Sequence, residues 1–388
     1  MLTSDQNCVL SLLRTSLGVS CTYREPASVE ELSRIIAYNG ILLTVFPEIC
    51  KKAEAGLDPM NRAKAKLRQG YYSALKQSLL QNLEGEKMLE ALSNAGFTCI
   101  PLKGWEMRKL YPDQTMRQMA DLDILVRPYS FGRLKTVMSS LGFSSGTESS
   151  WKHDSFQKGE VHVEMHKRLT DDSADVQKWE AEMWERAIPA EDDHVLKMAP
   201  EDYYIFHFVH LHKDFMNGSL GLRRIADTWL LQKQSIDMTA AETALKQFGL
   251  WEFHTRMVTL SRATMGDVPI DENSEILLAH AFEHGIYGSE KAYKAGRIVS
   301  MGDDIKSGKR KSAIEAVFLP YKRMKAQFPI LVKWPVLLPF CWIKRIAGHL
   351  GNNLKRKKRM LDYHSITADD YEKMKRVFEA GGIHRTEV

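Results

Sequence analysis

The chain has 388 residues, of which 44% are hydrophobic and 27% charged. That length allows two or three domains with buried cores, and the composition excludes a wholly disordered or fibrous chain. The 54 Lys and Arg exceed the 49 Asp and Glu by only five, too small a bias to argue for nucleic-acid binding.

Cys8, Cys21, Cys50, Cys99 and Cys341 are scattered, odd in number and form no Cys-x-x-Cys pair. This predicts a reduced, cytoplasmic protein rather than a disulfide scaffold or a zinc finger. No basic segment followed by an apolar core opens the chain, so a signal peptide is not expected. The most apolar late stretch, Phe328 to Leu350, contains Lys333, Lys344, Arg345 and three Pro. Its longest uncharged run, Trp334 to Ile343, is well short of the roughly 20 residues that span a bilayer.

Residues 1–95 read as an N-terminal helical region. Val9, Leu10, Leu12 and Leu13 form an apolar stripe, and Ser28 with Glu31 forms a capping box that opens a helix through Ile36. From Asn61 to Asn94 there is no Pro, and Tyr72, Leu75, Leu79, Leu83, Met88 and Leu92 recur at helical spacing. A long helix is expected there, stopped at Gly96, with Gly70 and Gly85 as points of bending.

The pattern changes at residue 97. Phe97 to Leu102 reads as a strand, 104–111 as a short helix and Asp121 to Val126 as a second strand. Phe131 to Leu141 is an amphipathic helix closed by Gly142. Trp151 to Phe156 and Val161 to Met165 read as a hairpin turning near Lys158-Gly159. Residues 96–170 therefore predict a small α/β core. Residues 171–350 read as helical again, most clearly at Asp202 to Phe215, Leu220 to Gln232 and Ala240 to Phe248. Ser307 to Ser312 reads as a loop, and 351–388 as a basic polar tail with some helix.

The chemistry concentrates in the α/β core. Alternation along a strand puts Asp121 and Asp123 on one face, with Leu122 and Ile124 on the other. Paired carboxylates repel unless a cation lies between them, and hard cations such as Mg²⁺ take oxygen ligands. The bland alternative is a solvated strand face, which the depletion of Asp in strands weakens. Val161-His-Val-Glu-Met-His166 also alternates, so His162, Glu164 and His166 share a face. If the two strands are neighbours, Glu164 supplies a third carboxylate; otherwise His162, Glu164 and His166 could form a zinc site or merely a polar outer face. Lys103-Gly104 stands where a strand runs into a helix, a place that favours phosphate. Arg117 is close enough to Asp121 to touch a phosphate or pair with a carboxylate. His207 and His210 lie at i,i+3 on one predicted helix face, as a packed or substrate-facing pair. Asp227 reads first as a bond to a neighbouring helix. The run Lys355 to Arg359 reads first as a solvated end; with Trp334, Phe340 and Trp342, the segment 351–360 could make weak contact with an anionic membrane or RNA.

Taken in order, four segments resemble a known family: Ile100-Pro-Leu-Lys-Gly104, Leu110-Tyr-Pro112, Met116-Arg-x-Met-x-Asp-x-Asp-Ile-Leu-Val126 and Val161-His-Val-Glu-Met-His166. They look like the uncharacterised bacterial nucleotidyltransferase family of the DNA polymerase β-like superfamily. The likeness continues through Asp202 to His212, Leu222-Arg-Arg-Ile-Ala-Asp227 and Phe328 to Pro339 with Arg345, and covers roughly residues 60–350. It implies an α+β fold: a small polymerase β-like mixed sheet with helices, set between large N- and C-terminal helical regions. It further implies that Asp121 and Asp123 bind two Mg²⁺ and that Glu164 is the third carboxylate. Lys103-Gly104 stands where the superfamily has Gly-Ser, so Lys103 would replace the missing hydroxyl as a point charge on the β- or γ-phosphate.

The reaction so implied is Mg²⁺-dependent transfer of a nucleoside monophosphate from a nucleoside triphosphate to a hydroxyl of a small molecule or protein. Asp121 and Asp123 would coordinate both ions. Glu164 would ligate the acceptor-side ion or act as general base. Lys103, Gly104 and Arg117 would handle the phosphates, and His162, His166, His207, His210 and Asp227 would line the substrate pocket. The alternative is a catalytically silent nucleotide- or partner-binding protein on the same fold, against which three retained like charges argue. Templated polymerisation is not expected, since no extended basic groove is evident. The acceptor and the preferred base are left open.

Overall fold

The structure, a computed structural model, describes residues 2–146, 153–169, 174–192, 194–302, 304–328, 330–350 and 362–384. Trp151 and the run Lys355 to Arg359 lie outside them. The chain divides into two compact units, one of Met1–His212 and Leu220–Tyr287, the other of Lys213–Ser219 and Gly288–Val388.

The first unit begins with four helices: α1 (Ser4–Ser16), α2 (Val29–Tyr38), α3 (Leu42–Glu54) and α4 (Asp58–Asn94). The Ser28 hydroxyl accepts from the Glu31 N–H at 3.2 Å as expected, but the capping box is not closed: the Ser28 N–H donates to Asp5 and the Glu31 carboxylate pairs with Arg34. Helix α4 runs unbroken through both glycines. Gly85 is there for packing: a Cβ would come within 2.4 Å of the Trp105 ring. The expected apolar stripe of α4 is only partly inward. Met88 and Leu92 are buried, whereas Tyr72, Leu79 and Leu83 are about half exposed. The inner face instead uses Ala74, Ser78, Gln81 and Glu84.

A seven-stranded mixed sheet follows, in the order β3-β4-β5-β2-β1-β7-β6. Its elements are β1 (Thr98–Pro101), α5 (Gly104–Met107), β2 (Leu122–Arg127), α6 (Phe131–Ser140), β3 (Ser144–Ser145), β4 (His153–Lys158), β5 (Val161–His166), α7 (Ala174–Arg186), β6 (Ile188–Asp192) and β7 (Val195–Lys197). Strand β2 pairs antiparallel with β1 and parallel with β5. Ile124, Val126, Val163 and Met165 bury against Met88 and Leu92 of α4 and Leu134 and Met138 of α6. The sheet is larger than expected, because β6 and β7 come from beyond residue 170. Both are short, and Pro189 with the adjacent acidic pair Glu191-Asp192 hides any alternation. The predicted helix 104–111 is one α-turn, α5, followed by a 3₁₀ turn at Arg108–Leu110.

Helices α8 (Pro200–Met216), α9 (Leu222–Leu231), α10 (Met238–Gln247), α11 (Trp251–Met265) and α12 (Glu272–His284) follow. The later helices are α13 (Glu290–Met301), α14 (Ile305–Val317), α15 (Tyr321–Gln327), α16 (Ile330–Lys333), α17 (Leu338–Leu350) and α18 (Ala368–Ala380). Two expectations fail here. Ser307 to Ser312 is not a loop but lies inside α14, which the Asp304 side chain opens by accepting from Lys306 and Ser307 N–H. The helix expected after 362 is present, but the polar reading fails: α18 carries a capping box at Thr367 and buries Tyr371, Met374, Val377 and Phe378.

Candidate active site

Strand β1 ends in a tight turn. The Trp105 N–H donates to the Leu102 carbonyl at 3.1 Å, and Lys103 between them has φ 42° and ψ −111°. These are the dihedrals of the first central residue of a type II′ turn, a place ordinarily taken by Gly. Among the described residues Lys103 is the single non-glycine with positive φ. Its carbonyl accepts from the Tyr203 hydroxyl of α8 at 2.8 Å. Gly104 is fixed by crowding, since a Cβ there would lie 2.7 Å from both the Arg117 guanidinium and the Met119 sulfur.

The turn delivers Lys103 to the carboxylates. Asp123 on β2 stands in register beside Glu164 on β5, and Asp121 immediately precedes β2. One oxygen of each of the three lies within 4.8 Å of the others. Lys103 Nζ donates to Asp123 Oδ1 at 2.6 Å, and His166 Nε2 lies 2.7 Å from the same oxygen. Burial alone would raise the Asp123 carboxyl, but Lys103 and His166 outweigh it and hold the group well below the carboxylate range. Asp121, half-buried and without such a contact, is pushed up to about 6, by burial first and then by the charge of Asp123. A hydrogen bond from His166 lowers the Glu164 carboxyl. His166 itself is raised: burial favours its neutral form, but Asp123 and Glu164 outweigh that. The arrangement is an anionic notch with its own counter-charges, able to hold a divalent cation on oxygen ligands.

A second donor set shares Glu164. Strands β4 and β5 pair so that His153 faces His166. His153 Nε2 is 3.4 Å and His166 Nε2 is 3.5 Å from the two Glu164 oxygens, and these three side chains form a further group able to hold a metal. His162, the other member of the expected zinc set, is not brought into it; it lies opposite Gln157 with its side chain exposed. His153 was missed, although the hairpin register contained it. A turn at 159–160 pairs Lys158 with Val161, and counting back pairs His153 with His166.

The remaining expected residues gather beside the turn. Lys103, Arg117, His207, His210 and Asp227 line one narrow cleft with Tyr203 and Arg224. Tyr203, His207 and His210 recur at i, i+4, i+7 along α8 and therefore share a face. Arg117 pairs with a carboxylate, as one of its two expected roles allowed. It donates twice to Asp227, at 2.8 and 2.7 Å, and the Tyr111 hydroxyl joins at 2.9 Å. Both partners are buried. Asp227 thus anchors α9 to the segment before β2. His207 bonds Thr228 Oγ1 at 2.9 Å, and burial depresses it to about 3, so it is neutral in the folded protein.

No curated protein and no solved structure matches this chain. Residues 25–266, more than half of the chain, match the model of a family described as an uncharacterised nucleotidyltransferase. The matched span contains the turn, all three carboxylates and the Arg117–Asp227 pair, and the protein belongs to this uncharacterised nucleotidyltransferase family.

Proposed function

We propose that the protein moves a nucleoside monophosphate from a nucleoside triphosphate to a hydroxyl of a small molecule or protein, using Mg²⁺ held by Asp121, Asp123 and Glu164 on a polymerase β-like core. The observation that carries this reading is the convergence of three carboxylate oxygens within 4.8 Å, two of them on adjacent parallel strands. Oxygen donors in a partly open notch suit a hard divalent cation. Two Mg²⁺ bound there would neutralise the entering and leaving oxygens of an in-line displacement and lower the pKa of the acceptor hydroxyl.

The chain's own residues would divide the remaining work. Glu164, about a quarter exposed, would ligate the acceptor-side ion or take the acceptor's proton. Lys103 keeps part of its side chain in solvent and can transfer its contact from Asp123 to the triphosphate. Arg117 is committed to Asp227, so it supports the Lys103-Gly104 turn rather than reaching phosphate itself. The five free cysteines suit a reducing, cytoplasmic setting.

The test is Mg²⁺-dependent binding and pyrophosphate release with the four labelled nucleoside triphosphates, comparing wild type with Asp121→Asn/Asp123→Asn. Loss in the double variant supports the assignment. Undiminished turnover in that variant refutes it.

One observation favours a second reading. His153, Glu164 and His166 each offer a ligand atom within 4.8 Å of the others, and two imidazoles with a carboxylate are donors that zinc takes. Under this reading the purified protein carries stoichiometric zinc, and His153→Ala releases it. Metal analysis finding no zinc excludes it.

A further inference from the structure

The segment from α15 to α17 packs poorly for its composition. It buries Met324, Leu331 and Cys341, with Leu319, Phe328, Leu337, Leu338 and Trp342 partly covered against them. Ile330, Val332, Trp334, Val336, Phe340 and Ile343, all within the same stretch, are left 51–76% exposed. Apolar side chains facing water at this density mark an interaction surface.

Charge identifies what covers it. Among the described side chains from Met324 to Arg345 the charged ones are Lys325, Lys333, Lys344 and Arg345, with no Asp or Glu, although the net charge of the whole protein is only +5. A second copy of the same surface would bring like charges together, which argues against a symmetric dimer. RNA offers stacking partners for Trp334 and Phe340 but none for Ile330, Val332, Val336 and Ile343. An anionic bilayer surface satisfies both halves: acyl chains take the aliphatic and aromatic side chains, and headgroups take the cations. None of the described helices is long and apolar enough to cross a membrane, and Lys333 with three prolines interrupts the stretch. The mode is therefore to lie in the interface and not to span it.

We propose that residues 328–345 dock this protein on anionic lipid membranes, with Trp334, Val336, Phe340 and Ile343 entering the headgroup–acyl boundary and Lys333 and Lys344 pairing with lipid phosphates. This is independent of nucleotidyl transfer, and its test needs no turnover. The full-length protein is floated with vesicles of phosphatidylcholine alone and with 30% phosphatidylglycerol, at about 0.1 M salt. Wild type should float with the anionic vesicles at least tenfold more than with the neutral ones. Trp334→Ser/Phe340→Ser should lose that retention at least tenfold with an unchanged melting temperature, because both side chains are exposed. Lys333→Glu/Lys344→Glu should weaken it and flatten its fall with added salt. Three results would overturn the proposal: absence of flotation, equal flotation with neutral vesicles, or a wild-type dimer in solution that Trp334→Ser/Phe340→Ser converts to monomer.

Discussion

Lys103 and Asp123, twenty residues apart, meet at 2.6 Å because the Leu102 N–H bonds the Asp123 carbonyl at 2.9 Å and the next residue turns with positive φ. One strained backbone position thus supplies the counter-charge for the most buried carboxylate of the notch. Strain of this kind is retained where neighbours over-determine it. Here the Tyr203 hydroxyl and the crowding of Gly104 by Arg117 and Met119 do so.

The two contributions of Lys103 are separable. Lys103→Ala removes the ammonium from Asp123 and keeps a Cβ at positive φ. Lys103→Gly removes the same charge but suits the turn. Both should lower stability, by about 1–3 kcal/mol for the uncompensated carboxylate. Lys103→Gly should nevertheless be the more stable of the two by roughly 1 kcal/mol. Urea unfolding of the pair measures the difference, and equal stabilities would contradict the turn assignment.

The Arg117–Asp227 pair should behave as a buried unit. Arg117→Met leaves a carboxylate uncompensated and should cost about 3–5 kcal/mol. Arg117→Met/Asp227→Leu should recover much of that loss, since the charge goes with its partner. A double-mutant cycle reads the coupling. Strict additivity would show that the two residues do not depend on each other.

Gly85→Ala tests how α4 supports the turn. The added methyl would meet Trp105 at 2.4 Å, and overpacking of this kind typically costs about 1–3 kcal/mol. Gly70→Ala is the control, because its Cβ would touch only Leu42 at 3.4 Å, and Ala is the better helix former by about 1 kcal/mol. The first variant should melt below wild type and the second at or above it.

His207 gives a pH dependence with a definite sign. Its folded pKa is about 3, below the ordinary 6.5, so the unfolded chain binds the proton more tightly. The stability linked to His207 is complete above pH 6.5 and is lost as pH falls from there toward 3. Between pH 7.5 and 5.5 the loss should be about 1.4 kcal/mol. His207→Gln should flatten the profile by that amount relative to wild type. An unchanged slope would mean that the imidazole is not buried neutral.

Part of this was legible in the sequence, for identifiable reasons. The alternation in Asp121 to Val126 and Val161 to His166 reports burial on a strand, which is a local property. It placed Asp123 and Glu164 on β2 and β5, which the structure makes neighbours. His153 needed one further step, the register of a hairpin. Tyr203 carried no signal, because its partner is a backbone carbonyl a hundred residues away. Strands β6 and β7 went unread because both are short and are made by pairing, not by their own pattern, and β6 is an edge strand interrupted by Pro189. The outward face of α4 misled for a related reason. Helical spacing shows that Tyr72, Leu79 and Leu83 form a stripe, but tertiary packing decides which stripe is covered.

Anomalous diffraction from crystals grown with Mn²⁺ and a non-hydrolysable nucleoside triphosphate analogue would locate the metal and the nucleotide together. Mn²⁺ is expected between the carboxylates of Asp121, Asp123 and Glu164, with the triphosphate on the same ions and Lys103 turned toward it. A single peak on His153, Glu164 and His166, or nucleotide bound away from the carboxylates, would contradict Mg²⁺-dependent nucleotidyl transfer at this notch.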